Sequence, residues 1–114
     1  MQSRIRDSNA TDNTSDGIEG TDGNFISGNN SNANGVNGIL ITGASNTVEN
    51  NHCVANGMLG IDTTPAVLGP NAIFANRGTG NPLGEYAFDP GDTYGPIVFG
   101  PGPVAGAYND NIAY

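Results

Sequence analysis

The sequence predicts an all-β chain folded as a stack of short parallel rungs, a β-solenoid of about four turns. Three observations carry that expectation. Aliphatic anchors return about every 22 residues, the apolar segments between turns are only triplets, and glycine and asparagine punctuate the corners between them. Triplets such as Ile39-Leu40-Ile41, Asn46-Thr47-Val48 and Cys53-Val54-Ala55 are too short for helices and show no 3.6-residue period. Three short strands and three corners in a repeat of that length describe one rung. Successive rungs would pair in parallel at ~4.8 Å, each burying the apolar face of its neighbour.

The columns can be followed in order. Ile5, Ile26, Val48 and Ile73 form the first, with repeats of 21, 22 and 25 residues between them. Three residues on stand Ser8, Asn29, Asn51 and Asn76; eight residues on stand Asn13, Asn34, Asn56 and Asn81. Thirteen residues after the first three anchors come Ile18, Ile39 and Ile61, each preceded by glycine. The half-repeat from anchor to Gly-Ile is constant, and the return half absorbs the variation. Corners are marked by Asn34-Gly35, Asn37-Gly38, Gly43 and Asn56-Gly57.

The rung Asn46-Thr47-Val48-Glu49-Asn50-Asn51 followed by Asn56-Gly57-Met58-Leu59-Gly60-Ile61 resembles the right-handed parallel β-helix repeat proteins, the pectate-lyase-like superfamily. The resemblance covers roughly residues 3 to 81. It implies a right-handed coil and an inward asparagine ladder at Asn29, Asn51 and Asn76, with Ser8 as a weaker first member. Stacked amides there would bond rung to rung and satisfy polar groups that burial would otherwise leave unpaired.

Beyond Asn81 the period fades. Asn81-Pro82-Leu83-Gly84, Asp89-Pro90-Gly91-Asp92 and Gly100-Pro101-Gly102-Pro103 are turn signals, and Ile97-Val98-Phe99 reads as one short strand. Tyr86, Phe88, Tyr94, Phe99, Tyr108 and Tyr114 crowd this region, whereas the repeats hold only Phe25 and Phe74. We therefore expect rungs over residues 1–81 and an irregular tail over 82–114 that caps or associates, within a single domain. An open last rung needs such a cover. Gln2 to Asp7 is already rung-like with no capping helix before it, so the first edge is expected to meet another chain or to have lost a cap. The chain reads as the C-terminal part of a longer β-helix.

Composition narrows the partners. Eighteen glycines and seventeen asparagines accompany only 12% charged residues, no Trp and no Lys. The net charge of −8, with three arginines, argues against nucleic acid and anionic membranes and leaves cations, neutral glycans or protein. Cys53 is the single cysteine, so no intrachain disulfide forms. No apolar run approaches membrane-spanning length.

Two constellations could carry chemistry. Counting alternation from inward Ile18, Ile39 and Ile61 places Glu19, Leu40 and Asp62 in one outward column. Two carboxylates ~10 Å apart are near the upper spacing of an inverting hydrolase, but leucine separates them and no cation is near. These are the catalytic candidates, and a solvated acidic face is the favoured reading. Asp12, Asp16, Glu19 and Asp22 are the calcium candidates, since hard cations take oxygen ligands. They lack EF-hand spacing, and exposed solubilising charge is favoured there too. His52 falls in an outward column with Asn9, Asn30 and Arg77, and Cys53 in an inward one with Ala10, Ser31 and Gly78. The expected function is a structural or self-assembling module of a secreted or cell-surface protein, without cofactor or catalysis, associating through open rung ends and the aromatic tail. The alternative is a polysaccharide-active or carbohydrate-binding β-helix: lyase, hydrolase or epimerase.

Overall fold

The computed structural model describes residues 2–66, 70–99 and 111–113. The first rung holds β1 (Arg4–Arg6), β2 (Asn9–Thr11) and β3 (Ile18–Gly20). The second holds β4 (Phe25–Ser27), β5 (Asn30–Asn32) and β6 (Ile39–Ile41). The third holds β7 (Thr47–Glu49), β8 (His52–Val54) and β9 (Leu59–Asp62), and the fourth β10 (Ala72–Phe74), β11 (Arg77–Thr79) and β12 (Gly84–Ala87). After these come β13 (Thr93–Tyr94), β14 (Ile97–Phe99) and β15 (Asn111–Ala113). No helix forms among the described residues.

Like stacks on like. The first sheet runs β1-β4-β7-β10-β13, the second β2-β5-β8-β11-β15-β14, and the third β3-β6-β9-β12, with every pair parallel. The registers are those of the sequence columns: Ile5, Ile26, Val48 and Ile73 align, as do Ile18, Ile39 and Ile61. Their side chains point into the coil and, with Ile41, form the core; Ile26, Ile39, Ile41, Val48, Ile61 and Ile73 are wholly buried. Each such side chain contributes roughly 1.5–3 kcal/mol by leaving water.

Corners are made one residue at a time. The residue before each of the two asparagine columns is left-handed: Asp7, Gly28, Asn50 and Ala75 before one, Asp12, Ala33, Ala55 and Gly80 before the other. A single left-handed residue turns the chain sharply while leaving the flanking triplets extended. The asparagine that follows points inward and takes up the hydrogen bonds that the corner cannot form.

Three ladders result, all built alike. Asn29 donates its backbone N–H and its Nδ2 to Asn51 Oδ1, both at 3.0 Å, and Asn51 repeats this on Asn76 at 3.0 Å. Each amide also donates backwards, as Asn51 Nδ2 does to the Ile26 carbonyl. The second ladder runs Asn13, Asn34, Asn56, Asn81. The third, Asn24, Asn46, Asn71, lies two residues before the aliphatic anchors. Sequence reading missed it as a ladder. Among the described residues no buried side-chain nitrogen or oxygen lacks a partner, which is how so many asparagines are buried without penalty.

The repeat extends further than its sequence signature. Tyr86 sits in register with Ile61, so β12 closes a fourth rung in which Glu85-Tyr86 replaces Gly-Ile. Tyr94 aligns with Ile73 and begins a fifth. Ile97–Phe99 is the expected short strand, but β15 lies between it and β11. Asn111, far along the chain, thereby receives the Asn76 amide and completes the first ladder. Tyr86 and Phe88 pack against the end of the core, and their rings, with Tyr94, form a contiguous row at 5.3 and 4.9 Å. The single proton of the Tyr86 hydroxyl is shared between the carbonyls of Asn76 and Ile112, at 2.9 and 2.6 Å. Tyr108, Tyr114, the Phe99 side chain and Gly100-Pro101-Gly102-Pro103 lie outside the described residues.

Candidate functional site

Glu19, Leu40 and Asp62 share one outward column of the third sheet, as the alternation predicts, and Ala87 extends it. Glu19 is exposed; Leu40 and Asp62 are half-buried. Two rung spacings separate the carboxylates, ~10 Å. Asp62 is turned to a local task, its Oδ1 accepting from the Thr64 backbone N–H at 2.9 Å and from the Thr64 hydroxyl at 2.7 Å. Arg77, the arginine nearest Asp62 in sequence, belongs to the second sheet. The column therefore presents an acid, an aliphatic patch and a second acid that already holds a turn.

The acidic cluster is spread along the first rung. Asp16 Oδ1 accepts the Asn37 N–H at 2.9 Å, and Asp22 Oδ1 accepts the Ala44 N–H at 2.7 Å. Both brace a corner of the second rung. Asp12 occupies a left-handed corner, and Glu19 points out from β3. Among the described residues no group of three or more His, Cys, Asp or Glu is placed to hold a metal ion.

His52 is exposed on β8, flanked by Asn30 and Arg77. Cys53 is wholly buried between Ser31 and Gly78. Burial, and secondarily the Glu85 carboxylate, pushes its thiol far above the ordinary value. A thiol so held is not a nucleophile.

Two features escaped the sequence. The first is how the ladders end. Asn71 donates its N–H and Nδ2 to Asp92 Oδ1 at 2.8 and 3.1 Å, while Asp92 Oδ2 accepts the Thr63 hydroxyl at 2.5 Å. Asn81 Nδ2 donates to the Glu85 carboxylate. Asn111 spends its amide on the Ile73 and Gly95 carbonyls. Carboxylates only accept, so two of the three ladders stop there. At the other end Asn13 and Asn24 donate forward, and no group among the described residues donates to their Oδ1 atoms.

The second is a groove of about 510 Å³ on the outer face of the first sheet, beside β1, β4 and β7. Arg4 and Arg6 project from alternate positions of β1, and Phe25 stands next to Arg4 in register, with Thr47 beyond it. Compared with protein-family models, curated proteins and solved structures, the chain matches none.

Proposed function

We propose that the chain is a structural β-helix module of a secreted or cell-surface protein, associating through its first rung and without catalysis of its own. One observation carries this reading: the two ends of the coil differ in kind. The C-terminal end has its ladders closed by Asp92, Glu85 and saturated Asn111, with Tyr86 and Phe88 laid against the core. At the N-terminal end β1, β2 and β3 are edge strands, as β13, β14 and β12 are at the other, but here the ladder Oδ1 atoms of Asn13 and Asn24 receive no donor among the described residues. Such edges recruit further strands. Membership of the right-handed pectate-lyase-like superfamily is part of the proposal, supported by the ladder at Asn29, Asn51 and Asn76. An extracellular or surface location follows from that kinship.

Light scattering over a concentration series tests the association, read together with amide exchange. Mass should rise with concentration while the amides of β1, β2 and β3 slow and those of β12 and β13 do not. A chain that stays monomeric at millimolar concentration overturns the proposal, and slowing at β12 and β13 instead assigns the contact to the aromatic end.

A second reading, a polysaccharide-active or glycan-binding module, rests on the in-register Glu19–Leu40–Asp62 column. It predicts new reducing or unsaturated ends from acidic polysaccharides, with or without calcium, and loss of that turnover in Glu19→Gln, Asp62→Asn.

A further inference from the structure

We infer that the groove on the first sheet binds a small ring-bearing oxyanion, a carboxylate or phosphate ester whose ring lies on Phe25 and whose charge meets Arg4 and Arg6. The inference starts from a local reversal of charge. The protein has eleven acidic residues and three arginines, yet the groove lining contains two of those arginines and no acid. Two guanidiniums over one concave surface favour an anion there even though the whole chain is negative; the nearest acids, Asp7 after Arg6 and Glu49 two rungs along the Arg6 column, lie outside the lining.

Geometry makes the cluster usable. Alternate residues of a strand stand ~6.6 Å apart on one face, so the two guanidiniums can close on one oxyanion, a group whose planar fork they match. Among the described residues neither guanidinium is engaged in an ion pair or side-chain hydrogen bond. Phe25, half-buried, is held beside Arg4 by the parallel register and offers an apolar platform. Hydroxyls of Ser3, Ser45 and Thr47 complete the lining as neutral donors. The volume of about 510 Å³ suits a compact ligand.

The test is a two-dimensional NMR titration of the full chain with phenyl phosphate, and in parallel with inorganic phosphate. Saturable shifts confined to residues 2–6, 23–25 and 45–47 are expected, with phenyl phosphate the tighter ligand. Arg4→Gln and Arg6→Gln should each weaken binding roughly fivefold to tenfold, and Phe25→Leu should bring the two ligands to equal affinity. Far-ultraviolet circular dichroism and unchanged shifts in the third sheet verify that each variant keeps its fold. Absence of saturable shifts at 20 mM ligand overturns the site. Equal binding by the arginine variants does so too, and equal affinity of both ligands for the unaltered chain overturns the ring-bearing class.

Discussion

The second and fourth rungs pack the corner between the second and third sheets with opposite distributions of bulk. Gly17 and Gly38 lie under the side chains of the following rung: a Cβ on Gly17 would stand 2.0 Å from Ser31 Oγ, and one on Gly38 3.0 Å from Cys53 Cβ. In the fourth rung the second-sheet residue is Gly78, and the place of glycine is taken by Glu85, whose Cβ stands 2.9 Å from where a Gly78 Cβ would be. Large-then-small along the rung becomes small-then-large. What the coil conserves is the volume of the corner, as expected where interiors are close-packed. The exchange also converts the corner chemically, because a carboxylate accepts the Asn81 amide where the second rung offers Asn34 the Ser31 hydroxyl.

The sharpest way to break the comparison is to remove a rung's interior ladder residue. Asn51 accepts two hydrogen bonds from Asn29 and donates to Ile26 and Asn76. Asn51→Ala strands the buried Asn29 N–H and takes the donor from the Ile26 carbonyl, while Asn76 Oδ1 keeps the backbone N–H of residue 51 and Asn29 Nδ2 keeps the Ile5 carbonyl; it should cost about 3–5 kcal/mol. Against a marginal total stability, urea unfolding would show a largely unfolded chain. Asn13, exposed on the first rung, gives the contrast: Asn13→Ala should cost under about 1 kcal/mol. Equal losses at the two sites would show that ladder position is irrelevant.

Next in size is the corner volume. A Cβ on Gly60 would lie 2.4 Å from the Glu85 carbonyl oxygen, which is backbone and cannot swing away. Gly60→Ala should therefore cost about 3 kcal/mol. Gly78→Ala meets Glu85 Cβ at 2.9 Å and Oε2 at 3.0 Å; the carboxylate can swing aside but the Cβ moves only with its backbone, so the change should cost about 2 kcal/mol. Glu85→Gly, which removes the clashing Cβ, should recover that loss in the Gly78→Ala background in a double-mutant cycle, whereas Gly60→Ala gains nothing from it. Additive effects at Gly78 and Glu85 would refute the shared-volume account.

How far the sequence could be read follows from the same difference. The first three rungs keep Gly-Ile thirteen residues after the anchor, so their registers were legible from spacing, and the Asn29, Asn51, Asn76 ladder from the family resemblance of the rung. So was the outward column of Glu19 and Asp62, because alternation on a strand has period two. The third ladder was hidden in the variable return half, even though Asn24, Asn46 and Asn71 each stand two residues before an anchor. The fourth rung was hidden because Glu85-Tyr86 keeps the volume of its column but none of its letters. Asn111 reaches Asn76 across 35 residues through a strand inserted out of chain order, which no local spacing reveals. The Arg4, Arg6 and Phe25 groove needed the register of the first two rungs and the course of the corners at Gly23 and Ser45, so charge counting alone passed it over.

A smaller effect probes Cys53, the bulky member of its corner. Its folded thiol is raised above the ordinary value of 9.0 by burial first and by Glu85 second. Below that value both folded and unfolded chains hold the proton, so the stability is fully present. Above it the unfolded chain releases the proton while the folded chain keeps it, and stability falls by about 1.4 kcal/mol per pH unit. Urea midpoints at pH 8, 9 and 10 should therefore drop more steeply for the unaltered protein than for Cys53→Ala. Tyrosine ionisation is common to both chains and cancels. Parallel pH profiles would place a titrating thiol in the folded state.

The smallest effect has the opposite sign. Ala55 and Gly80 make the same corner in successive rungs, with φ of 53° and 70°. Alanine in the left-handed region costs about 1–2 kcal/mol, while glycine returns about 0.4–1 kcal/mol of that through the greater freedom of the unfolded chain. Ala55 is exposed, so its methyl forfeits little packing on removal. Ala55→Gly should then stabilise by about 0.5 kcal/mol, and Gly80→Ala should destabilise by a similar amount. At Gly80 an added Cβ would meet Ala55 backbone atoms only at 3.8 and 3.9 Å, so strain in φ is the term being measured. If Ala55→Gly lowers the urea midpoint, the left-handed corner is held by contacts of that methyl. The corner would then be built from packing, as the Gly78–Glu85 pair is, and the two kinds of rung would differ less than their residues suggest.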